Sequence, residues 1–445
     1  MAIPAFHFTQ KQPHKAIASF FPSIFTAICI FLAPQRIPKK AGIMFKSFFY
    51  ITIAAALLAL LACSKTTGIA TQPPLTPGAK ADTAFLFGAD LSFTNQMMDL
   101  KAGYKDSGKA ANPYQICKAN GINLVRLRLW HTPTYAQTGY SSPGSPQYSN
   151  LADVAKAIAQ ARQLGQQVLL DFHFSDTWAD PAHQQPPAAW AAITSMTTLQ
   201  DSIYNYTLAT LQYLDAHGLM PQYIQLGNET NGGMLSTGTL PSFPNANVYT
   251  NQWANAGLLL NSAIQATRQA AMASSIKPKI ILHIADPAHA SWWFDSMTLA
   301  GRVTDFDCIG LSYYPIWHTA VPIAQLAQKI AFIKNRYAKA VMLVETAYPF
   351  TEAEADHYQN LFGPGTALPG YPATPQGQAL AVQAIAQAAI TGGAMGVVYW
   401  APDWISVPTF HDLWGNGSSW ENIALFQFDG NAQPALRFAR FPYNW

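Results

Sequence analysis

Charged side chains are scarce in this chain: they make up 11% of its 445 residues, less than the 13% that are aromatic. A disordered protein combines much charge with little apolar surface, so this composition excludes one. Half of the residues are hydrophobic, which is enough for a large core. Together with the abundant aromatic rings, this composition suits a globular enzyme.

The chain also lacks a surplus of basic charge once its N-terminus is set aside. The formal net charge is +3, but residues 1–62 carry six of the 26 basic side chains and no acidic one. The other 20 basic side chains face 23 acidic ones, so the remainder is slightly acidic. Nucleic acid is therefore not an expected partner, because nothing attracts its phosphates.

Cysteine is rare, with four residues in the whole chain. Cys29 and Cys63 lie in the N-terminal leader, Cys117 in a predicted helix and Cys308 in a predicted strand. A Cys117–Cys308 disulfide stays open, but no spacing pattern points to one. We expect two buried free thiols, with no metal bound by the cysteines.

The N-terminus resembles a targeting segment. Met44-Phe45-Lys46 is followed by an apolar run from residue 47 to 62, as in a secretory signal. The sequence Leu60-Leu61-Ala62-Cys63 resembles a bacterial lipobox, in which Cys63 would be lipidated and become the first mature residue. A buried structural Cys63 is the alternative.

This interpretation divides the chain into four parts. Residues 1–43 form an upstream extension, whose own apolar run, interrupted by Pro22, is alternatively a membrane segment. Residues 44–62 are the signal peptide, and residues 63–82, rich in Thr, Pro and Gly, are a tether. Residues 83–445 are the catalytic domain. We therefore expect export and a lipid anchor in a bacterial membrane, on its periplasmic or cell-surface side.

Eight short β-rich runs alternate with helical stretches, which predicts a single (β/α)₈ TIM barrel with long loops on its C-terminal face. The predicted helices are 151–164, 199–217, 253–273, 323–337 and 376–391. The predicted strands are 85–89, 124–130, 168–174, 223–226, 280–284, 308–313, 341–344 and 396–400.

Two of these strands end in a glutamate. Glu229 closes the run that begins at Tyr223, and Glu345 closes the run that begins at Val341. In such a barrel the C-terminal ends of the strands carry the chemistry, and a retaining glycosidase needs one carboxylic acid and one carboxylate there. Two carboxylates in structural ion pairs are the alternative.

Most other strands also end in polar or aromatic residues, and together these predict a substrate-binding site. The candidate substrate-binding residues are Asp90, Arg126, Arg128, Asp171, His173, Asp176, Trp178, Asn228, His283, Tyr313, Tyr314, Trp317, Trp400 and Trp404.

The two glutamates are predicted to have different roles. Glu229 follows Asn228, whose amide is placed to bond a sugar hydroxyl beside the reacting carbon, and Glu229 is assigned as acid/base. Glu345 is assigned as nucleophile and must be ionised. The guanidinium of Arg126 or Arg128, with a phenol such as Tyr313, is expected to hold it in that state.

Aromatic residues at the cleft should stack on sugars, and Trp178, Trp317, Trp400 and Trp404 are the candidates. His173 and His283 either bond the substrate or are satisfied structural histidines. Trp292 and Trp293 are adjacent, so at least one is expected in the core.

Seven segments carry a resemblance to glycoside hydrolase family 53, the arabinogalactan endo-β-1,4-galactanases. They span essentially the whole predicted domain, and the third is the most specific. They are 87–92, 125–130, 171–181, 226–229, 310–315, 345–349 and 417–422.

The resemblance implies hydrolysis, with retention, of internal β-1,4 bonds in galactan side chains of pectin, with Glu229 as acid/base and Glu345 as nucleophile. One departure is Ala401, where relatives often have Glu, so either a loop contact or a substrate subsite is expected to differ. We expect no required cofactor and a monomer.

Some bacterial relatives bind a structural calcium ion after the strand-seven glutamate. The corresponding stretch of this chain offers candidate ligands without the spacing of that acidic run, so a structural calcium ion stays open. The candidates are Glu352, Glu354, Asp356, His357 and Asn360.

Two alternatives to a galactanase remain at this point. One is a non-catalytic, membrane-tethered galactan-binding lipoprotein, although a binding module has no need for both glutamates. The other is a barrel endo-glycosidase acting on another β-glycan, such as a mannan or a glucan.

Overall fold

The computed structural model describes residues 85–133, 148–236, 238–356, 358–408, 410 and 417–445. The predictions for the leader, Cys63 and the tether lie outside this range and stay predictions, as does the ligand role of His357. Within the described range, no helix is both long and apolar enough to cross a bilayer.

Eight parallel strands close into a barrel in the order β1-β8-β7-β6-β5-β4-β3-β2, with β1 also pairing with β2. The predicted fold class and all eight predicted strands are confirmed. The strands are β1 (Leu86–Asp90), β2 (Leu124–Leu129), β3 (Gln167–Phe172), β4 (Tyr223–Leu226), β5 (Lys279–Ala285), β6 (Cys308–Ser312), β7 (Ala340–Thr346) and β8 (Gly396–Tyr399).

The five predicted helices and the helix predicted around Cys117 are confirmed, and two other short ones were missed. Helix α4 begins before the predicted residue because the Ser195 side chain accepts a hydrogen bond from the Thr198 amide and caps it. The described helices are α1 (Thr94–Asp99), α2 (Pro113–Ala119), α3 (Leu151–Gln163), α4 (Met196–Ala216), α5 (Trp253–Ala273), α6 (Ala290–Leu299), α7 (Ile323–Tyr337) and α8 (Pro375–Thr391).

The lower part of the barrel interior is apolar. Its side chains come from alternate positions of the strands, because successive residues of a strand point to opposite faces. Gly88 and Gly310 keep this layer dense: a Cβ on Gly88 would lie 2.7 Å from Val398 Cγ2. The lower layer consists of Leu86, Leu124, Leu169, Tyr223, Ile281, Cys308, Met342, Val344 and Val398. Cys117 and Cys308 are both buried free thiols, as expected.

The next inward positions along the strands form a polar upper layer. Two residues after Leu124 comes Arg126, two after Leu169 comes Asp171, and the same step leads from Tyr223 to Gln225 and from Ile281 to His283. The period of two therefore carries these polar side chains to the C-terminal end of the barrel interior.

A bulge in β7 aims Glu345 into the upper layer. Leu343 pairs with Leu311, but the next pair joins Ser312 to Glu345, so Val344 is an extra residue. Val344 lies inside the barrel, whereas Leu343 belongs to the outer core. Strict alternation would turn Glu345 outward as well, and the extra residue corrects its direction.

Four loops leave the strands through a non-glycine residue with positive φ. These residues are Phe174 (52°), Glu229 (46°), Asp286 (62°) and Ala401 (48°). The left-handed conformation is unfavourable for such residues and is found mostly where the surrounding structure requires it, often at functional sites. All four follow strands at the end of the barrel that carries the upper layer.

Candidate active site

Arg126 is the centre of the upper layer. Its Nη1 lies 2.7 Å from Asp90 Oδ2, and its Nη2 lies 2.8 Å from both Asp171 Oδ2 and Glu345 Oε1. Nη2 also donates to Asn228 Oδ1 at 2.8 Å. One guanidinium from β2 therefore ties together the ends of β1, β3, β4 and β7.

Arg126 is almost completely buried, with 1% of its surface exposed. Burial alone would lower its pKa, but Asp171, Glu345 and Asp90 outweigh burial, and the pKa is raised. The guanidinium therefore stays charged in the folded protein. It supplies the positive charge that three neighbouring carboxylates need at this depth.

Glu345 is held at both carboxylate oxygens. Oε1 is paired with Arg126, and Oε2 accepts a hydrogen bond from the Tyr314 hydroxyl at 2.9 Å. Burial, with the charges of Asp171 and Asp90, raises the pKa of Glu345 above its usual value, although Arg126 and the Tyr314 hydrogen bond oppose this rise. Both contacts favour the ionised form, which a nucleophile requires.

Tyr314, and not Tyr313, supplies the phenol beside Glu345. The Tyr313 hydroxyl donates to the carbonyl oxygen of Val321 at 2.7 Å, and the side chain is fully buried. Adjacent residues point to opposite sides of an extended chain, so only one of them faces the site. The proposed substrate contact of Tyr313 is corrected accordingly.

Glu229 is partly exposed and follows β4 in the left-handed conformation. Burial and the negative charge of Glu345 raise its pKa well above the ordinary value. The Ser312 hydroxyl and, more weakly, Arg126 oppose this rise. Of the two neighbouring glutamates, Glu345 has the closer cation, so the protonated form is favoured more strongly at Glu229 than at Glu345.

His283 holds Glu229 in place. Its Nδ1 accepts a hydrogen bond from the Glu229 backbone N–H at 3.2 Å, and its Nε2 lies 2.9 Å from Ser312 Oγ. Burial, Arg126 and His173 lower the pKa of His283 well below its usual value. A neutral ring with its proton on Nε2 satisfies both contacts.

His173 is engaged in a similar way. Its Nδ1 accepts the Ala179 N–H at 3.0 Å and the Trp130 indole N–H at 3.3 Å, and its Nε2 contacts Asp171 Oδ2 at 3.0 Å. Burial lowers its pKa. Of the two interpretations of His173 and His283, these bonds favour satisfied rings that position other groups.

The remaining acidic and amide candidates are also fixed by protein contacts. Asp90 Oδ1 accepts bonds from the Ser92 amide and hydroxyl. Asp176 accepts the amide hydrogens of Thr132 and Ala188, both at 2.8 Å, so it anchors a loop. Asn228 Nδ2 donates to the Ala179 carbonyl at 2.7 Å, which fixes the amide plane beside Glu229.

Arg128 is surrounded by aromatic rings. Its guanidinium carbon lies 4.0 Å from the ring centre of Trp178 and 4.6 Å from those of Phe93 and Trp130. Burial lowers its pKa to about 10, so it remains a cation at neutral pH. Of the two arginines, Arg126 contacts Glu345. Arg128 instead packs on Trp178 and its neighbouring rings through cation–π contacts.

Four indole rings form a row along one side of the site, which we call the tryptophan wall: Trp178, Trp400, Trp420 and Trp317. Ring centres are 6.1 Å apart for Trp178 and Trp400, 5.0 Å for Trp400 and Trp420, and 5.4 Å for Trp420 and Trp317. Trp317 is 47% exposed, and Trp178 and Trp420 are partly exposed. Trp178, Trp317 and Trp420 are therefore available to stack on sugars, whereas Trp400 lies buried within the row.

Trp404 is not among the rings that a sugar can reach. It is 2% exposed and stacks on Phe93 with the ring centres 3.9 Å apart. The prediction of a stacking role for Trp404 is corrected, because its face is already covered by a core phenylalanine. The composition of the segment gave no way to distinguish it from Trp400.

The stretch that offers candidate calcium ligands is held by hydrogen bonds between loops. Asp356 Oδ2 accepts the Ser406 hydroxyl and the Ser418 amide, each at 2.6 Å. Across the described residues there is no group of three or more acidic, His or Cys side chains that could hold a metal ion. The carboxylate already joins these loops, and the calcium hypothesis gains no support.

Three contributors to the site were missed from the sequence. Gln225 and Ser312 are inward-facing strand residues, and the strand period could have identified them. Gln225 Nε2 donates to Asp171 Oδ1 at 2.5 Å. Trp420 lies in a loop far along the chain, and only the tertiary fold brings it beside Trp400.

Comparisons with known proteins identify the family. The sequence model described as "Glycosyl hydrolase family 53" matches residues 86–439. The chain is 40% identical to an arabinogalactan endo-beta-1,4-galactanase of Cellvibrio japonicus (strain Ueda107), over 88% of this chain and 97% of that protein. It is 32% identical to an endo-beta-1,4-galactanase of Bacillus subtilis (strain 168), over 80% and 86% of the two chains.

A solved structure supports the same grouping. The GH53 catalytic domain of Ignisphaera aggregans superimposes with a TM-score of 0.71 at 32% identity, covering 83% of this chain and 98% of that domain.

Proposed function

Because the chain belongs to glycosyl hydrolase family 53, we propose that it is a retaining endo-β-1,4-galactanase acting on (arabino)galactan side chains of pectin. The names of its relatives support the galactan substrate. The observation that carries the mechanism is the contrast between the two glutamates: Arg126 and Tyr314 favour ionised Glu345, while burial and the charge of Glu345 favour protonated Glu229.

In the first step the Glu345 carboxylate attacks the anomeric carbon, and the glycosidic C–O bond breaks. Glu229 gives its proton to the departing oxygen, so the leaving half of the chain departs as a neutral alcohol. As Glu345 becomes an ester its negative charge disappears, and the pKa of Glu229 falls because that charge was one cause of its rise.

In the second step Glu229 acts as a base. It is now a carboxylate, and it takes a proton from water while the water oxygen attacks the anomeric carbon. The ester bond to Glu345 breaks and its carboxylate is restored to Arg126 and Tyr314. Two inversions give net retention, and Glu229 is protonated again for the next turnover.

We also propose that the enzyme is exported and tethered by a lipid on Cys63, as a monomer. The support is the lipobox-like sequence before Cys63 and the polar stretch that follows it. Metabolic labelling with a radioactive fatty acid checks the anchor, and Cys63→Ala is expected to abolish the label.

The test of the activity is digestion of unbranched β-1,4-galactan by the purified protein, with β-mannan and β-glucan as matched substrates. A ladder of short galacto-oligosaccharides should appear early, and proton NMR should show the β anomer as the first product. Galactan bound without release would point to the tethered binding protein, and release from mannan or glucan alone would point to another endo-glycosidase.

A further inference from the structure

Two exposed aromatic side chains lie stacked outside the tryptophan wall. Tyr249 is 62% exposed and Trp292 is 41% exposed, yet their ring centres are 5.7 Å apart and their planes differ by 9°. Tyr249 lies in the loop after β4, and Trp292 lies in the first turn of α6, after β5. We call this pair the aromatic platform.

The platform is held rigidly from below. The Tyr249 amide donates to Asn247 Oδ1 at 2.8 Å, which fixes the short turn that carries the ring. Trp253, itself buried, contacts the Trp292 ring edge to face with the centres 5.1 Å apart. Little conformational entropy is therefore lost when a ligand stacks on these rings.

The Tyr249 ring and the helix that carries Trp292 both contact the turn that follows Glu229. A Cβ on Gly232 would lie 3.0 Å from Tyr249 Cε2, so the tyrosine ring lies directly against that turn. Trp293, the buried neighbour of Trp292, donates its indole N–H to the Thr230 carbonyl at 2.9 Å. The platform is thus on the Glu229 side of the site.

We propose that the aromatic platform is a distal stacking subsite for the leaving-group side of a long β-1,4-galactan chain. The inference rests on the proposed function, in which Glu229 protonates the departing oxygen and the leaving half lies on its side. The apolar C–H face of a galactose unit covers a flat ring, which accounts for two large aromatics left open to solvent.

The first test compares Tyr249→Ala and Trp292→Ala with a control, Tyr213→Ala. The control removes a ring of outer helix α4 that is as exposed as Trp292, at 41%. For long galactan we expect KM to rise about 3- to 10-fold in each platform variant, with kcat unchanged. For a galactan fragment too short to reach the platform, KM should not change. Equal KM values for long galactan in wild type and both platform variants would overturn the proposal.

The second test measures binding without turnover. Each variant is combined with Glu345→Gln, and its migration is followed by native electrophoresis through a gel containing soluble galactan. Retardation should weaken with Tyr249→Ala and Trp292→Ala but not with Tyr213→Ala.

Gel retardation and hydrolysis together separate the hypothesis of galactanase activity from the hypothesis of a platform subsite. A wild-type enzyme that hydrolyses galactan while all three variants are retarded equally keeps the activity and rejects the platform. A wild type without hydrolysis rejects the activity, and selective loss of retardation would still support galactan binding at the platform. If Trp292→Ala fails to fold, the more exposed Tyr249 decides the question alone.

Discussion

Two layers of side chains fill the barrel interior, and they come from the same strands two residues apart. The lower layer holds Leu124 and Leu169, and the upper layer holds Arg126 and Asp171. Both are almost wholly buried. The lower layer is apolar, whereas the upper layer is a network of charges around one guanidinium.

Equal burial therefore has opposite energetic meaning in the two layers. Burying apolar side chains stabilises the barrel by roughly 25 cal/mol for each Å² removed from water. Burying charges costs free energy unless each has a partner, so Arg126, Asp90, Asp171 and Glu345 depend on one another. The comparison indicates that stability comes from the lower layer and that the upper layer is kept for its chemistry.

The largest expected effect comes from the two glutamates. Glu229→Gln and Glu345→Gln should each reduce the turnover of galactan by about 10²- to 10⁴-fold or more, because each removes a proton-transfer or nucleophilic group. The midpoint of thermal unfolding should change little, since Gln keeps the size of each side chain and Arg126 still pairs with Asp90 and Asp171. Near-normal turnover in either variant would overturn its assigned role.

The layers themselves can be compared on β2 with Arg126→Met and Leu124→Ala. Removing Arg126 leaves three carboxylates without their cation, and we expect a loss of about 3–5 kcal/mol in the free energy of unfolding together with loss of activity. Removing Leu124 side-chain atoms leaves a cavity that costs about 2–5 kcal/mol. Below its unfolding temperature, the Leu124 variant should retain kcat.

Denaturant titration and kinetics on the same samples provide the check. If Leu124→Ala lost kcat as completely as Arg126→Met while folded, the division of labour between the layers would be wrong.

A buried carboxyl in the loop after β8 gives a pH-dependent prediction. Asp403 accepts a bond from the Thr94 hydroxyl, and burial raises its pKa to about 7. A carboxyl whose folded pKa is raised stabilises the fold at low pH and loses that contribution as pH rises from about 4 to about 7. Asp403→Asn should remove this slope, worth roughly a few kcal/mol.

The measurement is the free energy of unfolding of wild type and Asp403→Asn between pH 4 and pH 8. Their difference should shift in favour of the variant as pH rises. Two parallel curves would show that ionising Asp403 does not lower the free energy of unfolding, which would contradict the prediction.

The smallest expected effect on catalysis is that of Trp178→Ala, and Trp404→Ala is its structural counterpart. Trp178→Ala should raise KM for long galactan about 3- to 10-fold while the unfolding midpoint changes little, because the ring is partly exposed. Trp404→Ala should instead cost about 3–5 kcal/mol of stability and leave KM unchanged, since Trp404 is buried against Phe93. A fallen midpoint with unchanged KM in the Trp178 variant would remove it from the wall.

Local patterns were sufficient for the barrel and for much of the site. Each strand is a short apolar run, and Glu229 and Glu345 stand where such runs end, so their position at the catalytic face followed from the fold class. The orientation of individual side chains did not follow. Tyr313 and Tyr314, like Trp400 and Trp404, belong to segments of similar composition, and contacts with Val321 and Phe93 separate their roles.

The sequence by itself determined the eight-strand alternation, the two glutamates and the period of two that places polar residues above apolar ones, because these depend on neighbours along the chain. Tertiary structure alone decided that Arg126 and not Arg128 binds Glu345, that a bulge at Val344 turns Glu345 inward, and that Trp420 joins the wall. Those outcomes depend on distances between residues far apart in sequence, which are set only when the barrel closes.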